Sequence, residues 1–441
     1  MDLFTAGLLC VALLALFMTL GLNIGFSFIL SGFISTVTVL GVNTSLSFLG
    51  QASYSSIARP TWAAIPLFML MGAFCSSGGL AQLAYRGAHV LARGIPGSLW
   101  IATCISSGVF GAISGSSLAT AALFGKIALP ELNRFGYNKS ISVGVIASAG
   151  TFASMIPPSI MMIVYALFTQ QSIADLFAAG IVPGLLTIIV YSALIVIMVK
   201  RRPEIAPSAE QEAEAIADTS RAKALFDMWP IIIIAGIVLG GLYGGIFTPT
   251  EAAAVGAAVS LVLAVSLGYM TRMSQLNSAL NQTARVTAMI FLLTVGALYY
   301  SQVMAITRIP ITLTNYLVSF DMPPTVLLLM ICAIIFVLGM LMVPVGIYAL
   351  TLPIVVPLLV EMGYDPIWFG VIALKLIEIG AVTPPVGLNV FAIKGVIPKA
   401  MNISMGQIYK GCMPFILADL VVLGLLIAFP QIVLWLPNLL N

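Results

Sequence analysis

Residues 114–120 place four hydroxyl groups in the middle of an apolar segment. A run from Gly150-Thr151 to Pro157-Pro158-Ser159 then interrupts the next apolar segment with a double proline. Hydroxyl oxygens and unwound carbonyls can ligate a small cation, while the N-terminal ends of half-length helices attract anions. Both features at membrane depth therefore predict a site for a small cation and an organic anion. The alternative is that glycine and serine here only permit close helix packing.

A similar pattern occurs about 226 residues later in the chain. The second double proline, Pro384-Pro385, matches Pro157-Pro158, and it follows a second glycine-containing tip at 339–346. Only Thr383 and Asn389 contribute side-chain oxygens there, so we expect backbone carbonyls to form more of the second site. Interrupted apolar helices in corresponding positions of two halves are the main sequence indicator of a secondary-transporter site.

The composition defines the class of protein that must position these residues. The chain of 441 residues is 61% hydrophobic and 7% charged, with a mean hydropathy of +1.13. No soluble domain of this length could bury so much apolar surface in one core, so lipid must solvate it. We predict an all-α polytopic membrane protein, an inverted repeat of two halves, each with five spans plus a re-entrant helical hairpin. The predicted spans lie near 4–20, 24–42, 61–80, 138–169, 182–200, 229–246, 252–270, 284–306, 367–394 and 412–436.

The repeat divides the chain into three parts. Residues 1–199 form the first predicted half, and residues 228–441 form the second. A hydrophilic linker at 200–227, which holds 11 of the 33 charged residues, separates the halves. The predicted hairpins are 97–130 and 322–359, and the predicted broken helices are 138–169 and 367–394.

The basic residues predict how the chain is oriented. An odd number of spans in each half inserts the second half upside down. With both termini outside, 15 basic residues fall on the inner face and only Arg59 and Arg308 on the outer face, as the positive-inside rule requires. We therefore expect periplasmic N- and C-termini and a cytoplasmic linker, which would carry a short solvated helix between Glu210 and Lys223.

Three ionisable residues lie within predicted spans, where charged side chains are functional candidates. Lys375 and Glu378 are one helical turn apart, and we expect a structural pair between them, while the role of Asp419 stays open. We expect Glu251 to cap a helix, because a carboxylate stabilises the positive end of the helix dipole. We expect His89 to lie at the membrane interface.

Several classes of function find no support in the sequence. The net charge of +3 gives no nucleic-acid signal. An intramembrane enzyme would need paired aspartates, a Ser–His pair or a His-rich metal motif, and a channel would not need two broken helices in matching copies. The five cysteines, at positions 10, 75, 104, 332 and 412, stand singly in apolar runs, so we expect them to pack. We expect a transporter that is not an enzyme and uses no organic cofactor.

At these motifs the chain resembles, over essentially its whole length, the large membrane subunit of tripartite ATP-independent periplasmic (TRAP) transporters. The order and spacing of the motifs make the resemblance specific. The motifs are Ala64-Ile65-Pro66-Leu67-Phe68 with Met71-Gly72, Ser114-Gly115-Ser116-Ser117-Leu118-Ala119-Thr120, Leu129-Pro130-Glu131 with Gly136-Tyr137, Ile156-Pro157-Pro158-Ser159-Ile160, Thr248-Pro249-Thr250-Glu251-Ala252, and Glu378-Ile379-Gly380-Ala381-Val382-Thr383-Pro384-Pro385-Val386-Gly387-Leu388-Asn389.

The resemblance implies a sodium-coupled importer with an elevator mechanism, in which hairpins and broken helices move against a scaffold of the remaining helices. It also implies two partners: a small four-span membrane subunit and a periplasmic substrate-binding protein. The binding protein would deliver a small organic acid, such as a C4-dicarboxylate or a sugar acid, to the bacterial inner membrane. The alternative is a stand-alone sodium/organic-anion symporter of related inverted-repeat fold.

The resemblance also implies site residues, because family sodium sites lie between each hairpin tip and its broken helix. The expected Na⁺ ligands are Ser114, Ser116, Ser117, Gly150, Thr151, Pro157, Ser159, Gly339, Gly380, Thr383 and Pro384. The expected substrate-binding residues are Ser116, Thr120, Ser159, Lys375, Pro385 and Asn389. The chain departs from the family at 339–346, where members often carry an aspartate and this sequence has no acidic residue.

Overall fold

The computed structural model describes residues 2–208, 220–309, 312, 322–398 and 401–440, and every regular element in them is helical. Residues 2–208 form ten α-helices. Their bounds are α1 Leu3–Thr19, α2 Ile24–Leu40, α3 Val42–Ile57, α4 Ala64–Ser77, α5 Leu80–Leu91, α6 Ser98–Ser114, α7 Ser117–Arg134, α8 Lys139–Ala153, α9 Ile160–Thr169 and α10 Ile173–Arg201. Short 3-10 turns at Pro60–Ala63 and Pro203–Ile205 precede α4 and follow α10.

The described residues from 220 onwards form ten further helices. They are α11 Arg221–Asp227, α12 Trp229–Tyr243, α13 Pro249–Ser266, α14 Met273–Ile306, α15 Pro324–Leu341, α16 Pro344–Glu361, α17 Pro366–Gly380, α18 Leu388–Val396, α19 Met405–Ala428 and α20 Gln431–Leu440. Most of the helix predicted between Glu210 and Lys223 lies outside the described residues.

Within the described residues, seven helices are long and apolar enough to cross a membrane, in agreement with the predicted polytopic class. The spans predicted near 4–20 and 24–42 are helices of only 17 residues, α1 and α2. The span predicted near 412–436 is wrong in its bounds, because α19 already ends at Ala428 and α20 begins at Gln431. Helices α3 and α5 have no counterpart among the predicted spans.

Two hairpins and two interrupted helices form the centre of the structure. The hairpins are α6–α7 and α15–α16, with their tips at Gly115-Ser116 and Met342-Val343. The interruptions separate α8 from α9 and α17 from α18, and each contains a cis X-Pro bond, Pro157-Pro158 or Pro384-Pro385. Below, residues 154–159 are called the first break and residues 381–387 the second break.

The helices pack in two groups. In the first group the hairpins and the broken helices interlock: α6 and α7 pack on α8, α15 packs on α17, α7 packs on α18, and α16 packs on α9. In the second group, which we call the outer group, α2 packs on α14, and α4 packs on α13 and α14. The interlocked group therefore joins helices from both sides of the linker. The division into two inverted halves stays a prediction.

Candidate functional site

The first hairpin tip lies directly on the first break. Gly115 ends α6 in the left-handed region with φ +58°, and a Cβ at this position would lie 2.6 Å from the Pro158 carbonyl oxygen. The Ile160 N–H donates a hydrogen bond to the Gly115 carbonyl at 3.3 Å. One turn earlier, a Cβ on Gly111 would lie 2.5 Å from the Ala153 Cα, so α6 and the end of α8 touch through their backbones.

The hydroxyl groups of this region lie around the contact. Ser116 caps the N-terminus of α7, where its oxygen accepts from the Ala119 N–H at 3.4 Å. Ser159 caps α9 in the same way, accepting from the Met162 N–H at 3.3 Å. The N-terminal ends of α7 and α9 therefore lie at the same tip, and each end favours negative charge.

The remaining predicted hydroxyls of the first region, including that of Ser117, are buried, and those of Ser114, Thr120 and Thr151 are hydrogen-bonded. The hydroxyls of Ser114 and Thr120 lie 3.0 Å apart, and the Thr151 hydroxyl donates to the Ser148 carbonyl at 2.7 Å. A hydroxyl that donates its hydrogen to a carbonyl keeps its oxygen lone pairs for another partner, including a cation. Pro157 is buried in the first break beside them.

The second hairpin tip contacts the second break almost entirely through backbone atoms. A Cβ on Gly380 would lie 2.4 Å from the Gly339 carbonyl carbon, so only glycine permits this approach. The Gly387 N–H donates to the Met340 carbonyl at 3.4 Å. This bond corresponds to the one between Ile160 and Gly115 at the first tip.

Few side chains complete the second region. The Thr383 hydroxyl donates to the Ile379 carbonyl at 2.7 Å. Helices α16 and α18 begin without a side-chain hydrogen bond to their first N–H groups. The double proline Pro384-Pro385 is exposed, in contrast to its buried counterpart. The second region therefore offers main-chain donors and acceptors, as the sequence predicts.

Asn389 connects the two regions. Its backbone N–H donates to the Ala381 carbonyl at 2.9 Å, but its side-chain amide makes no hydrogen bond within the described residues. The amide nitrogen lies 3.3 Å from where a Cβ on Gly150 would stand, and that Cβ would be 2.8 Å from the Ser117 carbonyl oxygen. Asn389 follows the second break in sequence, yet its side chain points at the first region. A fully buried amide without a partner is costly, which makes it a strong candidate for a ligand contact.

A cavity of about 250 Å³ opens beside the first tip, between the hairpin and the outer group. Ser114 and Ser116 line it from the hairpin side. Lys126 from α7 and Gln282 and Thr283 from α14 also line it, and the Thr283 hydroxyl has no hydrogen-bond partner within the described residues. Sequence reasoning missed these three residues. The helical spacing that places Ala119 and Leu123 on the cavity side of α7 also places Lys126 there, so this periodicity could have indicated Lys126.

The predicted pair of Lys375 and Glu378 is wrong. The Lys375 Nζ lies 2.5 Å from Asp419 Oδ1 and also donates to Thr187 at 3.2 Å, and Tyr191 donates to the second Asp419 oxygen at 2.7 Å. Burial explains why Lys375 pairs with Asp419. A fully buried ammonium group needs a charged partner, and the Asp419 carboxylate is itself stabilised by the hydrogen bond from Tyr191. This is the only ion pair within the described part of the chain.

Glu378 instead accepts a hydrogen bond from the Ser154 hydroxyl of the first break at 2.6 Å. Its second carboxylate oxygen is buried without a hydrogen-bond partner in the described residues. Lys375 is fully buried and already paired with the Asp419 carboxylate, and its predicted role in substrate binding stays a prediction. The ion pair joins α17 to α19 and α10.

Three further expectations concern single residues or residue types. Glu251 caps α13 through a reciprocal pair of hydrogen bonds with Thr248, which confirms the predicted cap. The five cysteines are free and buried, which confirms that they pack. His89 is buried on α5, and its position at the membrane interface stays a prediction.

The protein is all-helical, and several of its helices are long enough to span a membrane. Two of its helices are interrupted, and a hairpin packs against each interruption. This architecture is typical of secondary transporters. The family model described as "Tripartite ATP-independent periplasmic transporter, DctM component" matches residues 11–432. The chain belongs to this family of TRAP transporter large permease subunits.

Two curated relatives illustrate the range of the family. The C4-dicarboxylate TRAP transporter large permease protein DctM of Pseudomonas aeruginosa is 34% identical, over 86% of both chains. The sialic acid TRAP transporter large permease protein SiaM of Vibrio cholerae is 29% identical, over 95% of both chains. Among solved structures, the Alcanivorax borkumensis YdaH transporter superposes with a TM-score of 0.63 at 15% identity, covering 90% of each chain, which shows a shared fold.

Proposed function

We propose that this chain is the membrane permease of a sodium-coupled, binding-protein-dependent importer of a small organic acid. The observation that carries the proposal is the matched pair of contacts between hairpin tips and breaks. Each tip exposes carbonyls and helix ends to a break, and each contact is closed by one main-chain hydrogen bond. Relatives that carry C4-dicarboxylates and sialic acid support an organic acid as the substrate.

Sodium would bind between each tip and its break. The neutral oxygens there suit a small hard cation, because hydroxyls and carbonyls supply lone pairs without a competing charge. In the first region the ligands would be the hydroxyls of Ser116, Thr151 and Ser159 with nearby carbonyls. In the second they would be Thr383 and the carbonyls around Gly339 and Gly380.

The organic acid would bind in the cavity beside the first tip. Ser116 and the N-terminal ends of α7 and α9 would attract its carboxylate, and Lys126 would contribute a positive charge at the far end. Asn389 would contact the ligand or the ion from the start of α18. Lys375 is left out of this site, since Asp419 already neutralises it.

An elevator motion would carry the ion and the acid across the membrane. The two packing groups support it, because the cavity lies between the interlocked hairpins and helices α4 and α14 of the outer group. Movement of one group past the other would carry the binding residues together without unfolding either break.

The partners would be a small four-span membrane subunit and a periplasmic substrate-binding protein, and the chain would lie in the bacterial inner membrane. The termini would be periplasmic and the linker cytoplasmic. A single cysteine placed at the exposed Glu204 should then react with an impermeant thiol reagent only from the cytoplasmic side. Labelling from the periplasm would overturn the orientation.

The decisive experiment for this proposal is uptake into proteoliposomes that contain this chain and its small partner subunit. Labelled organic acids would be offered with and without an inward sodium gradient, and with and without the binding protein. We expect uptake to require both. Sodium-driven uptake without the binding protein would favour the stand-alone symporter. Uptake that is independent of the sodium gradient would contradict the proposed sodium coupling.

A further inference from the structure

A second, larger cavity lies outside the transport region, where α5, the end of α7 and α11 meet. It measures about 420 Å³, and we call it the α5–α11 pocket. Gly87 on α5 allows the segment around Ala224 and Met228 to pack closely against this helix. A Cβ at position 87 would lie 2.4 Å from the Met228 sulfur and 3.1 Å from the Ala224 carbonyl oxygen. The glycine therefore brings the chain around α11 directly against α5.

Positive charge predominates in the pocket. Arg86, Arg134 and Lys223 line it from three different helices, and Glu131 and Asp227 are the acidic residues in its wall. Within the described chain neither acid comes within ion-pair distance of a basic group. Within the described residues no direct ion pair neutralises the three cations, and the wall carries an excess of one positive charge.

His89 supplies an independent sign that a ligand binds here. The side chain is only 6% exposed, lines the pocket, and packs edge-on against Phe135. Its Nε2 atom makes no hydrogen bond within the described residues. Burial lowers the pKa of His89 to about 4, so the imidazole is neutral at pH 7, and in the tautomer protonated at Nε2 it donates one hydrogen bond from this nitrogen. A buried nitrogen without a partner is costly, and an acceptor in the pocket would satisfy it.

The surroundings of the pocket fit a membrane surface. Helix α11 is bent by 54° relative to α12, so it leaves the direction of that apolar helix. Two large side chains of α11 are exposed beside Lys223: Leu225 at 49% and Phe226 at 71%. A short helix with basic and exposed apolar side chains is typical of one that lies in the headgroup and upper acyl region.

We propose that the α5–α11 pocket binds the phosphate group of an anionic membrane lipid, with Arg86, Arg134 and Lys223 around the phosphate and His89 donating from its floor. Arginine suits phosphate because its planar group can form two parallel hydrogen bonds. The exposed Leu225 and Phe226 would contact the acyl chains, which favours a lipid over a free phosphate ion. The bound lipid would tie the base of the first hairpin to the chain that leaves the linker.

The test uses the full-length purified protein in a neutral detergent. Saturable binding of short-chain phosphatidylglycerol would be measured by native mass spectrometry, with phosphatidylcholine of the same chains and inorganic phosphate as the comparison ligands. We expect phosphatidylglycerol to bind, and we expect Arg86→Gln and Lys223→Gln each to weaken it about fivefold, as one basic residue near an anionic headgroup contributes about that factor. Lys410→Gln, which removes an exposed cation elsewhere, should leave binding unchanged.

A further variant separates ligand binding from folding. His89→Leu removes the unpartnered nitrogen, so it should weaken phosphatidylglycerol binding without lowering the thermal midpoint of the lipid-free protein. Equal binding of phosphatidylcholine, equal binding of inorganic phosphate, or equal loss in the Lys410 variant would each overturn the lipid site.

Discussion

The two tip–break regions share a backbone plan and differ in chemistry. At the first, hydroxyl groups from Ser114, Ser116, Thr151 and Ser159 lie around the contact, and the double proline is buried. At the second, main-chain atoms predominate, Thr383 is the one hydroxyl of the break, and the double proline is exposed. The same tip–break contact can therefore be surrounded by polar side chains, as in the first region, or by main-chain polar groups, as in the second. The second region depends more on the exact approach of its helices.

The two regions also differ in how they are anchored. Helix α17, which leads into the second break, is fixed to α19 and α10 through Lys375, Asp419 and Thr187. Helix α8, which leads into the first break, packs on α6, α7 and α19 without an ion pair in the described residues. The backbone-rich region is thus the one held by a buried charge network.

The largest expected effect removes that anchor. Asp419→Leu leaves the Lys375 ammonium buried without a counter-charge, and we expect a loss of about 3–5 kcal/mol in the free energy of unfolding. Thermal denaturation in detergent would measure it. The double variant Lys375→Met with Asp419→Leu should recover most of the loss, because no unpaired charge remains. A double variant as unstable as the single one would show that the charge pair is not the anchor.

The next effect tests whether both contacts need glycine. Gly111→Ala and Gly380→Ala each place a methyl group within about 2.5 Å of facing backbone atoms, at Ala153 and Gly339. We expect each to cost about 1–3 kcal/mol of stability and to reduce uptake at least tenfold. Gly424→Ala is the matched control, because its Cβ would meet no atom within 4 Å. Wild-type uptake in either test variant would contradict the close contact.

A smaller effect is expected when a hydroxyl group of the first region is removed. Ser159→Ala removes a helix cap and one proposed sodium ligand, so we expect a loss of about 1 kcal/mol in stability. Half-maximal activation of uptake should require several-fold more sodium. Ser116→Ala should behave alike. Unchanged sodium activation in both variants, with folded protein present, would remove the hydroxyls from the site.

The smallest effect is expected at the second region. Thr383→Val keeps the shape of the side chain and removes one oxygen from a site formed mainly by carbonyls. The sodium requirement should rise less than in Ser159→Ala, measured by the same uptake assay. A larger rise than in Ser159→Ala would reverse the proposed difference between the two regions.

Much of the local plan could be predicted from sequence, because proline and glycine act on the backbone where they stand. The interruptions near Pro157-Pro158 and Pro384-Pro385 and the cap at Glu251 depend on neighbouring residues only. The pairing of Lys375 could not be predicted in this way. Its partner Asp419 lies 44 residues away, and the nearby Glu378 is drawn instead to Ser154 across the centre of the structure.

The position of Asn389 and the wall of the cavity escaped prediction for the same reason. Asn389 follows the second break in sequence, but the packing of α18 on α7 turns its amide towards Gly150. Gln282 and Thr283 reach the first tip only because α14 packs against α4 and lies beside the hairpin. Such contacts arise from the folding of distant segments, which a motif of a few residues does not encode.

The most direct test of the central claim is a measurement of sodium binding by the purified protein. The thermal midpoint would be recorded in sodium, potassium and choline chloride at equal ionic strength. A ligand that binds the folded state alone raises stability, so sodium should raise the midpoint above that in the other two salts. Ser116→Ala combined with Thr383→Val should abolish the difference. Equal midpoints in all three salts for the wild-type protein would contradict the proposed sodium sites.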